Sequence, residues 1–114
     1  MAAIAEFGCL PCMINHKVRP ATIQHVTEGG RRLGHDYTYG SCPWHHQGMT
    51  ENSMTTQQMI GLLGPSFAHG RLDFEEAYGD ERDVLVRLQN WVLEADGFRY
   101  HDLISQWDHL RRSN

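Results

Sequence analysis

Two pairs of metal-seeking side chains, each pair separated by two residues, constrain this chain more than anything else in it: Cys9-Leu10-Pro11-Cys12 and Cys42-Pro43-Trp44-His45. A two-residue gap lets one tight turn aim two donors at a single ion, and two such pairs complete a tetrahedron around zinc. All three cysteines of the chain are used in this way. An odd number of cysteines cannot pair off as disulfides, and the N-terminus lacks the basic start and apolar block of an export signal. The expectation is a reducing, cytoplasmic setting and a zinc held by Cys9, Cys12, Cys42 and His45. The gap from Cys42 selects His45 over His46, which leaves His46 free for other work.

A length of 114 residues suits one domain with a small core. The reading is therefore a single domain over 1–114, with a zinc-bearing core at about 7–50 and helical support at 55–112. No apolar run approaches the roughly 20 residues that span a bilayer. Residues 1–50 carry four basic and three acidic side chains, and the rest carries six and eleven. Five of the eight histidines also fall in the first half. Chemistry and any polyanion contact belong there, and the acidic C-terminal half reads as solvated support.

The pattern along the chain is mixed α and β. Residues 7–13 form a zinc knuckle on a turn built with Gly8 and Pro11. The β-branched run at 21–27 predicts a strand, Arg31 to Gly34 a basic loop after Gly29-Gly30, and 36–41 a second short strand. Pro43 after Cys42 suits the first turn of a short helix carrying His45 and His46. Thr55 to Gln58 has capping-box spacing, opening a helix that Gly64-Pro65 stops. A short helix is expected over 66–79. Asp80 caps the next, whose apolar stripe runs through Val84, Leu85, Leu88, Trp91 and Val92. A last helix carries Tyr100, Leu103, Ile104, Trp107 and Leu110.

A strand, a loop and a helix can place His25, His35 with Asp36, and His46 around one pocket. A neutral imidazole that takes a proton from water, beside a divalent cation that stabilises charge on phosphate, suits phosphodiester hydrolysis. Arg31 and Arg32 are the obvious phosphate contacts, with Lys17 and Arg19 near them in sequence.

The run Cys9-x-x-Cys12, Ile23-Gln24-His25-Val26, Gly29-Gly30, His35 and Cys42-x-Trp44-His45-His46 resembles the HNH (His-Me finger, ββα-metal) endonucleases with a structural zinc, and among them the phage recombination-enhancement nucleases of the Ref type. The resemblance implies a small ββα-metal core with a zinc knuckle, followed by C-terminal helices. It implies a metal-dependent DNA endonuclease of phage or prophage recombination, with Mg²⁺ or Mn²⁺ as the catalytic ion and RecA filaments on DNA as partner. It makes His25 the general base and His46 a ligand of the catalytic metal, with His35 or Asp36 at the middle position of the motif. Where the family commonly has a His or Asp metal ligand before the base, this chain has Gln24, a neutral and weaker donor. His69, Glu75 and Glu76 are the candidates for a further ligand. The rival expectations are a non-catalytic zinc module that binds DNA or a recombination protein, and a metal-storage or redox role for the thiols.

Overall fold

The computed structural model describes residue 4 and residues 7–28, 30–34 and 37–112, which form a mixed α+β fold. Cys9 opens the first helix, α1 (Leu10–Ile14), and its sulfur accepts the Cys12 backbone N–H at 3.4 Å. The expected knuckle turn is thus one turn of helix. Pro11 fits its start, where no intrahelical N–H bond is lost. Strand β1 (Thr22–His25) pairs antiparallel with β4 (Thr38–Ser41) in the register Thr22 to Ser41 and His25 to Thr38. Gly40, in the middle of β4, is the closest approach in this half. A Cβ there would lie 2.4 Å from the Gly8 carbonyl oxygen, so only glycine lets the chain before Cys9 pack on β4. That approach brings the two ligand pairs together.

Between the paired strands the chain makes a second hairpin, β2 (Thr27–Glu28) with β3 (Arg31–Arg32). The predicted strand at 21–27 is therefore broken at Val26, which is buried. Its N–H bonds the Tyr37 carbonyl and its own carbonyl accepts from Leu33. The predicted basic loop at Arg31–Gly34 is half strand: Arg31 pairs with Glu28 and Arg32 with Thr27, and Gly30 just before them has φ 79°, the left-handed conformation that tight hairpin turns use.

Helix α2 (Pro43–Gln47) follows at once, capped by Cys42 and closed by left-handed Gly48. Its Trp44 is fully buried and donates to the Gly64 carbonyl at 2.9 Å. The capping box holds as expected at α3 (Thr56–Leu63): Gln58 N–H bonds Thr55 Oγ1, and Thr55 N–H bonds Gln58 Oε1.

The helix expected over 66–79 is two. Phe67–His69 is a 3₁₀ turn capped by Ser66, and α4 (Arg71–Tyr78) starts after an extended Gly70. Asp80 caps the next helix as expected, but Glu81–Val86 is wound with π geometry before α5 (Arg87–Glu94) begins. The Leu85 N–H reaches back to Asp80 O at 3.1 Å. Glu81, Val84, Leu85 and Val86 are all buried along this turn, so it is covered from more than one side. Helix α6 (Tyr100–Arg112) buries Leu103 and Leu110, and its Trp107 donates to Tyr78 O.

The main core gathers Tyr39, Phe74, Tyr78, Leu85, Leu88, Val92 and Leu103. A second cluster packs Trp44, Met59 and Leu63 around the three cysteines. Gln89 couples the sheet to α5 by accepting the Gly40 N–H at 2.9 Å. Among the described residues no helix is long and apolar enough to cross a membrane.

Candidate functional site

The two ligand pairs converge as the spacing anticipates. Cys9, Cys12, Cys42 and His45 are all buried, and their donor atoms lie within 4.8 Å of one another. His45 Nδ1 stands 3.4, 3.5 and 3.2 Å from the sulfurs of Cys9, Cys12 and Cys42, and the Cys12 and Cys42 sulfurs are 3.9 Å apart. Zinc–sulfur bonds of about 2.3 Å place tetrahedral sulfurs about 3.8 Å apart. The cage has the size and the donor chemistry of a zinc site, and it could hold that ion.

The charges tell the same story. Burial drives the Cys9 thiol far up. Cys12 is pushed up to about 12, chiefly by its hydrogen bond to Cys42, and Cys42 is held far down by accepting from Cys12 and Cys9. Alone, the buried sulfurs oppose one another's ionisation. A dication would let all three ionise.

Around the cage lies a hydrogen-bonded clasp that nothing in the spacing announces. His45 Nε2 donates to the Leu63 carbonyl at 2.7 Å, which fixes the tautomer and leaves the Nδ1 lone pair facing the sulfurs. The same carbonyl accepts from Tyr78 Oη at 2.8 Å and Asn15 Nδ2 at 3.0 Å, while Asn15 also donates to Tyr78 Oη. Burial pushes the Tyr78 hydroxyl up to about 12, so it stays a donor. Three helices, α2, α3 and α4, are tied to one oxygen.

One residue further along α2, a helical step of about 100° turns His46 out of the cage. It is half-buried, with Nδ1 3.4 Å from Thr22 Oγ1 on β1. Its pKa is lowered from 6.5, first by burial and then by the charge of His25, so the two imidazoles lie within electrostatic reach. His25 is half-buried at the last position of β1, opposite Thr38. At neutral pH His46 is an uncharged imidazole, the form that ligates metals.

The other anticipated residues are distributed differently. Gln24 is buried and turned to the core, donating from Nε2 to Glu81 Oε2 at 2.8 Å. Adjacent strand residues face opposite sides, so Gln24 and His25 diverge. Tyr39 Oη donates to the same Glu81 oxygen at 2.6 Å, and burial raises the Glu81 carboxyl above its ordinary range. His69 is exposed, stacked at a tilt on Trp44 with Nε2 3.1 Å from Gly48 O. Glu75 pairs with Arg71, and Glu76 is exposed on α4. His35 and Asp36 lie outside the described residues. Of the basic side chains, Arg31 and Arg32 are exposed on the hairpin. Arg19 instead forms an ion pair with Glu51, with its guanidinium within electrostatic reach of Cys42 and Cys12. Lys17 lines an apolar recess with Met13, Val18 and Tyr100.

Sequence reasoning missed Glu81, Tyr78 and Asn15. An acidic residue in an acidic half, a helical tyrosine and a turn asparagine carry no local signal for such contacts.

No curated protein and no solved structure matches this chain. The family model described as recombination enhancement, RecA-dependent nuclease matches residues 1–92, which takes in the cage, the sheet, His25, His46 and the chain through α4 into α5. With that match over most of its length, the chain belongs to the RecA-dependent recombination-enhancement nuclease family.

Proposed function

We propose that residues 1–114 act as one zinc-stabilised, metal-dependent DNA endonuclease domain of the HNH kind. The observation that carries the reading is the division of labour between neighbours on α2: His45 closes the cage, and His46 turns out toward His25 on β1. Zinc on Cys9, Cys12, Cys42 and His45 fixes the start of α2 against β4, and so fixes His46 relative to His25.

In this reading His25 is the general base. Its imidazole takes a proton from water as the water oxygen forms a bond to phosphorus; one ester P–O bond breaks, and the departing oxygen collects a proton from solvent. A Mg²⁺ or Mn²⁺ ion would be held by His46 with phosphate oxygens and water, and would supply stabilisation of charge on the phosphate. Gln24, bonded to Glu81, supports β1 beneath His25. Arg31 and Arg32 meet the DNA backbone, and the family's RecA dependence makes DNA within RecA filaments the natural substrate.

The test is a plasmid-nicking assay with Mg²⁺ or Mn²⁺, with and without RecA. His25→Ala should lose at least about 100-fold in rate, with zinc content and circular dichroism unchanged. If it cuts as well as the parent, His25 is not the base.

One observation favours the rival reading, a non-catalytic zinc module that binds DNA or a recombination protein: Gln24 faces the core and bonds Glu81, so it is not offered as a metal ligand beside His46. Calorimetry separates the two. A nuclease binds a second divalent ion that His46→Ala abolishes, and an inert module does not.

A further inference from the structure

A pocket of about 400 Å³ opens beside the His25 end of β1, lined by Tyr37, Arg82, Asp83, Val86, Arg87 and Asn90. None of these residues belongs to the pairs and histidines described above, and five of the six come from the acidic C-terminal half. Tyr37 immediately precedes Thr38, the cross-strand partner of His25, and its carbonyl accepts the Val26 N–H at 3.0 Å. On the other wall, Arg82 Nη1 bonds Glu28 Oε1 at 2.7 Å, joining the π-wound turn to the hairpin that carries Arg31 and Arg32. The pocket thus adjoins the hairpin that carries Arg31 and Arg32.

Its chemistry is specific. Val86 is 3% exposed and offers an apolar floor, and Tyr37 is 37% exposed and offers a ring. Arg82 is already neutralised by Glu28 and Asp83. Arg87 and Asn90 are exposed, and among the described residues neither side chain has a hydrogen-bond or ion-pair partner. An aromatic face over an apolar floor, with an unspent guanidinium and an unspent amide at the rim, suits a flat heterocycle attached to a phosphate. A paired base in a duplex cannot offer its face, whereas an unpaired one can. The carboxylate of Asp83, held on Arg82 Nε at 3.3 Å, would oppose a phosphate but can accept from a base amine.

We infer that this pocket binds one unpaired nucleotide of a DNA strand, its base stacked on Tyr37 and its phosphate on Arg87. The inference rests on the nuclease reading for the identity of the polymer.

The experiment is fluorescence anisotropy on the zinc-loaded chain without Mg²⁺ or Mn²⁺, using a labelled oligothymidine and a duplex of equal length. The single strand should bind more tightly. Tyr37→Ala should weaken single-strand binding about tenfold and leave duplex binding unchanged, while Tyr37→Phe keeps parental affinity. Arg87→Gln should weaken it and lower the salt slope by about one. Equal single-strand affinity of Tyr37→Ala and the parent, or equal single-strand and duplex affinity in the parent, overturns the pocket. His25→Ala separates the two ideas, since it should bind as the parent does and not cut. A parent that never cuts, yet shows the Tyr37 and Arg87 effects, sinks the nuclease reading alone. A parent that cuts while the Tyr37 and Arg87 variants bind normally sinks the pocket alone.

Discussion

The Cys₃His cage and the His25–His46 pair meet at one short helix, α2, through its neighbours His45 and His46, and they are built on opposite principles. In the cage every donor is buried, the one imidazole has both nitrogens engaged, and a single carbonyl oxygen draws three donors from three elements. Across α2, His25 and His46 are half-buried, and His46 Nδ1 approaches the Thr22 hydroxyl at 3.4 Å. A site that must exchange water, metal and substrate cannot be fully paired, because each satisfied group would have to be released. The cage absorbs the constraints so that its neighbour can stay open.

The largest expected effect follows directly. Removing zinc with a chelator, or replacing Cys12 with Ser, should unfold the N-terminal half, because zinc binding is folding free energy of roughly 10 kcal/mol or more in small zinc domains. Circular dichroism and thermal melting would show it. His46→Ala, one residue from the cage, should leave the melting curve within a few degrees of the parent. If zinc loss leaves secondary structure intact, the cage is an accessory and the contrast between the two sides dissolves.

Next in size is Glu81, which supports β1 from the core side. Glu81→Ala leaves Gln24 Nε2 and Tyr39 Oη without their shared acceptor and should cost about 2–4 kcal/mol by urea denaturation. Glu81→Gln can accept from both and carries no charge. Burial raises the folded carboxyl above its ordinary value of 4.5, so its favourable contribution is present below pH 4.5 and is lost as pH rises through the raised value. Glu81→Gln should therefore match the parent near pH 4.5 and gain on it toward neutrality. A parent that gains on Glu81→Gln as pH rises would mean that Tyr39 and Gln24 outweigh burial.

A smaller change probes the clasp. Tyr78→Phe deletes the hydroxyl that donates to Leu63 O and accepts from Asn15. It should cost about 1–1.5 kcal/mol of stability and weaken zinc binding about 10-fold, the low end for groups that orient a metal-bound histidine. Competition against a chromophoric chelator measures the second number. Unchanged zinc affinity would show that Leu63 O holds His45 without help.

The difference between the two sides also explains what was legible in the sequence. The cage could be read because tetrahedral zinc demands short, regular ligand spacing, and Cys9-x-x-Cys12 and Cys42-x-x-His45 state it locally. The capping box at Thr55 and the Asp80 cap were legible for the same reason: both partners lie within three residues. What could not be read depends on distant partners. Gln24 meets Glu81 across 57 positions, and Asn15 meets Tyr78 across 63. The π winding at Glu81–Val86 answers to burial from several sides at once, where a helical stripe assumes burial from one. Arg19 looked like a phosphate contact only because Glu51 is 32 residues away.

The smallest expected effect lies at Thr22, where the open side of α2 touches the sheet. Its hydroxyl has one hydrogen, and Ser41 O at 3.2 Å is positioned to take it. Facing His46 Nδ1 at 3.4 Å, the oxygen then accepts a weak bond from Nδ1–H, which leaves the lone pair on Nε2 to bind a metal. Thr22→Val keeps the shape and the β-branching but removes this bias. The loss should be at most about 1 kcal/mol, or up to about fivefold in nicking rate, with zinc content unchanged. Thr22→Ser should restore the parental rate. If Val and Ser variants both cut as the parent does, His46 chooses its tautomer without Thr22.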